Sequence, residues 1–346
     1  GEVQGSDVAA HSTGILDIKT TILPNADALF LTAIDKYGHE LWRWTFPVDK
    51  LNQTNEVFSP LSGKATYSET ENELTVKAKN HTFIFSKRDG QLKGVSVNNH
   101  KISFANGPRF IGARRADRSL DQFYNHDDEK AKEKDRTYSE FPDAAVFTKL
   151  EVKEDGGNLI VTANYKLGNL DKAQWTINPN GEAALDYTYN FSGVVDLIGI
   201  SFDYPEDQVI SKRWLGAGPY RVWQNRIHGT QYDVWENDYN DPIPGETFTY
   251  PEFKGYFDSV SWMNIRTKEG TISLTNETPD SYIGVYQPRD GRDRLLYTLP
   301  ESGISVLDVI PPVRNKVNST DLCGPSSQPK WVNGPQTGRI IFRFME

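Results

Sequence analysis

What most limits the fold of this chain is an alternation of apolar and polar side chains with period two. It recurs from one end to the other, while helical spacing is nearly absent. In an extended strand successive side chains leave opposite faces, so this alternation sets one face on a core and the other toward water. In Glu40 to Phe46, Trp42, Trp44 and Phe46 point one way and Arg43 and Thr45 the other. Ala28 to Ile34 reads as its partner across the turn Asp35-Lys36-Tyr37-Gly38. Further strands are expected at Leu74–Ala78, Thr82–Ser86, Leu92–Val97, Asn158–Lys166, Ala184–Phe191, Val195–Phe202, Thr271–Thr275 and Gly338–Phe344. Arg88-Asp89-Gly90, Asp155-Gly156-Gly157 and Asn180-Gly181 supply turn chemistry, the first of them closing a predicted hairpin. The best helical candidate, Asp127 to Arg136, alternates charge without an apolar face and reads as a solvated loop or short surface helix.

An all-β chain needs a core, and hydrophobic residues are only 37% of this one. Its 8 Trp, 16 Tyr and 17 Phe make up the difference, since each buries roughly 150–250 Å². The formal charge of −9 argues against nucleic acid as a partner, because phosphate binding needs a concentrated basic surface. No run approaches the ~18 apolar residues of a membrane span. Cys323, the only cysteine, leaves no disulfide within the chain and reads as inert between Leu322 and Gly324. The start Gly1-Glu2-Val3 is what a processed or recombinant fragment would show.

Residues 49–65 are polar and turn-rich and mark a boundary. The segment before it holds too few strands for an immunoglobulin-like sandwich, which needs about seven over ~100 residues. Residues 1–58 are therefore expected to be a partial sandwich, and 59–346 one large two-sheet β-supersandwich.

The most distinctive stretch runs from Trp214-Leu215-Gly216-Ala217-Gly218-Pro219-Tyr220-Arg221-Val222-Trp223 through Gln224, Asn225, Arg226, Ile227 and His228 to Tyr232 and Trp235. Gly216, Gly218 and Pro219 read as a tight turn after a strand, followed by a loop of planar donors and flat aromatics. Such a mixture suits sugars, whose C–H faces stack on indole while their hydroxyls bond to Arg and Asn. Equally, Trp214 and Trp223 could be core and the arginines could pair with surface carboxylates. A phosphate loop is excluded, because no helix and no Gly-Lys-Ser/Thr follows.

Trp214 to Trp235 resembles the Trp-x-Gly-x-Gly-Pro-x-Glu-x-Tyr-x-x-Arg stretch in the C-terminal domain of bacterial β-galactosidases of glycoside hydrolase family 2, the small-chain type. Phe83-Ile84-Phe85-Ser86-Lys87-Arg88-Asp89-Gly90-Gln91-Leu92 is similar to that domain's opening hairpin. Gly107-Pro108-Arg109-Phe110 with Arg114 to Asp121 is similar to its next loop, and Asn318 to Pro325 to its last. Leu41 to Pro47 looks like the close of the preceding immunoglobulin-like domain. The resemblance covers most of the chain in the family's order. It implies an all-β, galactose-mutarotase-like supersandwich behind the tail of a linker domain, with both catalytic carboxylates on a barrel that precedes them. Two positions depart from the pattern. Val306 stands where the family's strand lends a Trp to the sugar pocket, which removes a stacking face. Arg221 or Val222 stands where the family has Glu, so the parent enzyme is expected to act on a different glycoside.

The expected role is a non-catalytic accessory domain that shapes a saccharide site, with Arg115, Asp117, Arg221, Trp223, Arg226, His228 and Trp235 as carbohydrate contacts. Its partners would be an oligosaccharide or polysaccharide and the parent's catalytic barrel, in the bacterial periplasm or outside the cell, as in polysaccharide degradation. No cofactor is expected. No metal site is either: His-x-x-x-His and Cys-x-x-Cys spacings are absent, and Glu236 to Asp241 reads as a solvated turn. Glycoside hydrolysis needs two carboxyl groups about 5–9.5 Å apart, for which Asp117/Asp121 and Asp127/Asp128 are weak candidates. A stand-alone sugar epimerase, or a lyase using Arg114, Arg115, Tyr124 and His126, is the alternative on the same fold. A purely structural module is the third.

Overall fold

A computed structural model of the chain describes residues 1–5, 7–19, 26–48, 63–115, 138–238, 255–285, 303–312 and 324–346. The helical candidate at 127–136 and Cys323 lie outside them. Two compact units result, Gly1–Val57 and Phe58–Glu346.

In the first unit, β1 (Ala28–Ile34) and β2 (Glu40–Pro47) pair antiparallel. The turn forms because the Asp35 carboxylate accepts the amides of Tyr37 and His39 at 2.8 and 2.9 Å while Gly38 takes φ +85°. Trp42, Trp44 and Phe46 stay about half exposed. Two strands alone are marginal in water.

The second unit contains β3 (Thr66–Glu69), β4 (Glu73–Ala78), β5 (His81–Ser86), β6 (Leu92–Val97), β7 (His100–Ile102), β8 (Ala105–Arg115) and β9 (Tyr138–Glu140). It continues with β10 (Val146–Asp155), β11 (Asn158–Lys166), β12 (Leu170–Ile177), β13 (Ala183–Val195), β14 (Leu197–Asp203), β15 (Val209–Gly218) and β16 (Gln231–Asp238). It ends with β17 (Trp262–Thr267), β18 (Gly270–Asn276), β19 (Tyr282–Val285), β20 (Ile304–Val309) and β21 (Lys330–Met345). Among the described residues they form two antiparallel sheets. One has nine strands in the order β10-β11-β12-β13-β21-β18-β17-β15-β16. The other has ten, in the order β19-β20-β14-β8-β6-β5-β4-β3, with β7 beside β6 and β9 beside β8. The chain is thus an all-β supersandwich.

The predicted hairpin is β5–β6, closed by Gly90 at φ +74°. The core between the sheets is aromatic, as the composition requires. Phe104 stacks on Phe202 at 4.7 Å between ring centroids, and Phe342 approaches both at 5.1 and 5.4 Å. Trp175 closes the group at 5.9 Å from Phe342.

Candidate functional site

A second, smaller apolar group covers the outer face of the ten-stranded sheet. On the sheet it consists of Ile111 of β8, Leu197 of β14 and Leu307 of β20, joined by Ile310; over them lie Val222, Trp223 and Tyr256. This cover explains why β14 is buried on both faces. The cover starts where β15 ends. Gly216 and Gly218 are not a turn, since both are still in the strand. They are small because neighbours come close: a Cβ on Gly216 would lie 3.0 Å from the Asp258 carbonyl oxygen, and one on Gly218 would collide with the Trp235 indole. Past Pro219 the chain is pinned by paired backbone hydrogen bonds between Val222 and Tyr256 at 2.7 and 2.8 Å. A tight turn follows, with the Arg226 amide donating to the Trp223 carbonyl at 2.8 Å.

Two of the motif's three tryptophans are core. Trp214 is fully buried, donates to the Ala217 carbonyl at 3.0 Å and meets Phe257 edge-on at 4.9 Å. Trp223, expected at a sugar-contacting rim, is fully buried instead, with Tyr256 edge-on at 5.6 Å. The reason is that the outer sheet face beneath it is apolar and takes up the ring. Arg221 is buried as well, its guanidinium 5.8 Å from the Phe257 ring centroid, a cation–π distance. Arg226 and His228 are exposed. Trp235 on β16 is half-buried, and its indole donates to the Gln231 carbonyl at 3.0 Å. Arg115 ends β8, its backbone paired with Tyr138, and Asp117 lies outside the described residues. Of the proposed lyase group, Arg114 is ion-paired with Asp196 at 3.4 Å; Tyr124 and His126 lie outside the described residues.

The loop carrying Arg226 and His228 is tied to the start of β21. The Gln224 amide donates to the carbonyls of Ser326 and Gln328 at 2.9 and 2.7 Å, and Asn225 donates to the Ser327 hydroxyl at 3.1 Å. Just beyond stands Trp331, 68% exposed. Sequence reasoning passed over this ring because it lies upstream of the alternation that marked Gly338–Phe344. Its flanks, Lys330 and Asn333, were the available signal.

Val306 is buried in the main core, so that position offers no stacking face. Two residues on, Asp308 is mostly buried and receives the Tyr189 hydroxyl from the opposite sheet. Burial raises its carboxyl above the ordinary value, and the Tyr189 bond opposes this in part. The same burial, with Asp308 beside it, pushes the Tyr189 phenol well up. A carboxyl whose folded pKa is raised contributes stability that is complete below the unfolded value near 3.8 and is lost as pH rises through the folded value. Asp308→Asn is accordingly expected to gain melting temperature relative to wild type as pH goes from 4 to 8. A constant difference across that range would refute the assignment. Among the described residues no three His, Cys, Asp or Glu side chains gather as a metal-ligand set. No helix among them is long and apolar enough to cross a membrane.

A family model described as beta-galactosidase small chain matches residues 77–302. No curated protein matches the chain. Among solved structures, a galactose 1-epimerase from Lactobacillus acidophilus is similar over 82% of this chain and 99% of its own, at 9% identity and a TM-score of 0.44. An aldose epimerase homologue from C. elegans covers the same shares at 9% identity and a TM-score of 0.35. A galactose mutarotase-like protein from Lactobacillus casei is similar over 81% of this chain and 99% of its own, at 11% identity and a TM-score of 0.33.

Proposed function

Because the chain belongs to the beta-galactosidase small chain family, we propose that it is the carbohydrate-facing accessory region of a larger family 2-like glycoside hydrolase whose catalytic barrel performs the cleavage. The match over residues 77–302 carries this reading. The loop at 224–228 supports it. That loop is clamped at its base by Gln224 and Asn225 and presents two exposed donors, Arg226 and His228, and the clamp leads directly to the open face of Trp331. Planar donors on an anchored loop and an exposed flat ring are the two kinds of group that suit a sugar's edge and face. An oligosaccharide or polysaccharide in the bacterial periplasm or outside the cell is the partner this role implies.

Alone, the chain is expected to leave p-nitrophenyl β-galactoside intact and α-galactose mutarotating at the buffer rate in a polarimeter. Turnover of either at about 1 s⁻¹ or faster would overturn the accessory role. Mixed with its parent barrel, the chain should co-elute in gel filtration. Replacing Arg226 and His228 together by Ala should weaken oligosaccharide retention in affinity electrophoresis about tenfold. A stand-alone epimerase is the second reading, favoured by Asp308, a carboxyl held toward its protonated form beside Tyr189. The polarimeter decides between them.

A further inference from the structure

Among the described residues the ten-stranded sheet leaves part of one flank of β8 without a strand. β8 meets β6 only at the pair Leu92 and Gly107, and takes up β9 only from Ala113 onward. Between these points residues 108–112 have no strand on that side among the described residues. A cavity of 440 Å³ lies against this stretch, within the roughly 300–1,000 Å³ of ordinary ligand pockets. It is bordered by the β5–β6 turn on one side and by Glu140 and Asp143 on the other. Phe147 of β10 and Tyr165 of β11, edge to face at 5.9 Å, give it an aromatic wall.

Several of its polar groups are committed to holding those walls. Arg109 is paired with Asp203, and Asp89 with Lys93 at 2.9 Å. One Asp143 oxygen accepts the amides of Ala145 and Asn169 at 3.1 and 3.0 Å. The Tyr165 hydroxyl donates to the Asp89 carbonyl at 3.0 Å, tying the β5–β6 turn to the other sheet. What remains is a guanidinium, an amide and a carboxylate: the side chains of Arg88, Gln91 and Glu140 have no partner among the described residues.

This remainder selects a ligand class. The free charges, one of each sign, cancel, and the Asp143 carboxylate, held by backbone amides and not by a cation among the described residues, would repel an anion. Unused donors and an unused acceptor beside aromatic rings call for a molecule that both gives and takes hydrogen bonds and has an apolar face. The geometry points to this cleft as a subsite for a neutral mono- or disaccharide, in addition to the loop at 224–228. The inference rests on the carbohydrate part of the function proposed above and not on that loop.

Lactose titrated into the full chain and followed by calorimetry is the test, with galacturonate as the anionic comparison. Lactose should bind saturably and more tightly than galacturonate. Arg88→Ala and Glu140→Gln should each weaken it about tenfold, the loss of one charged hydrogen bond. Both positions are exposed, so the two variants should melt with the wild type. The double change at Arg226 and His228 removes the loop's share, and the lactose binding that remains should still fall with Arg88→Ala and Glu140→Gln. In that background, lactose binding that survives both cleft changes, or is never detected, overturns the cleft. Tighter binding of galacturonate overturns the neutral-ligand assignment. Co-elution with the parent barrel separately decides the accessory role.

Discussion

Phe342→Ala is expected to lower the unfolding free energy by about 3–5 kcal/mol. Phe342 stands on β21, the strand between β13 and β18, and its ring is fully buried. It reaches Phe104 and Phe202 from the opposite layer at 5.1 and 5.4 Å, and Trp175 and Phe344 on its own sheet at 5.9 and 6.2 Å. Truncation would leave a void walled by rings that cannot collapse without breaking their own contacts, which puts the cost in the upper part of the range for large-to-small changes. Domains of ordinary stability have only about 5–15 kcal/mol in total, so this single change should bring the fold near its threshold. Urea unfolding with an unchanged m-value checks it, and a loss under about 1 kcal/mol would contradict the packing described above. Phe342→Leu should cost clearly less.

Gly199→Val is expected to cost about 3 kcal/mol or more, or to prevent folding. Gly199 lies in β14 beside an irregularity in its pairing with β20, where Ile198 faces Val309 and Gly199 faces Leu307. A Cβ there would collide with the Val306 carbonyl oxygen and crowd the Leu307 Cα. Both obstacles are backbone, so no side-chain rotation relieves them. Relief would require β20 to separate from β14, opening the pairing that buries Leu307 and holds Asp308 toward Tyr189. Soluble yield and melting temperature report the outcome. A Gly199→Val protein that melts with the wild type would mean that the strands pair differently.

Which strands the sequence reveals depends on how many of their faces are wet. β4, β11 and β13 have one dry face along most of their length, and their alternation is visible in the residues themselves. β8 escaped because Gly107, Pro108 and Gly112 break its pattern, and β15 because Gly216 and Gly218 imitate a turn. Those glycines answer to the Trp235 ring and the Asp258 carbonyl, which come from distant sequence. The same limit applies to Trp223. An indole among arginines has one composition whether it faces sugar or a sheet, and only the apolar Ile111, Leu197 and Leu307 beneath it decide. The cleft at Arg88 and Glu140 is assembled from segments as far apart as β5–β6 and β11, so no contiguous motif could announce it.

β21 has one further consequence. Its sixteen residues join two halves of the nine-stranded sheet, pairing with β13 on one flank and β18 on the other. In the order of synthesis it is the last of the described strands, yet in space it is central. While the ribosome is still producing it, strands β10–β13 and β15–β18 face each other across an empty lane, with two long edges unsatisfied. Such edges are templates for pairing with the wrong chain, and closing so remote a contact is slow. A newly made chain is therefore at its most aggregation-prone just before β21 docks.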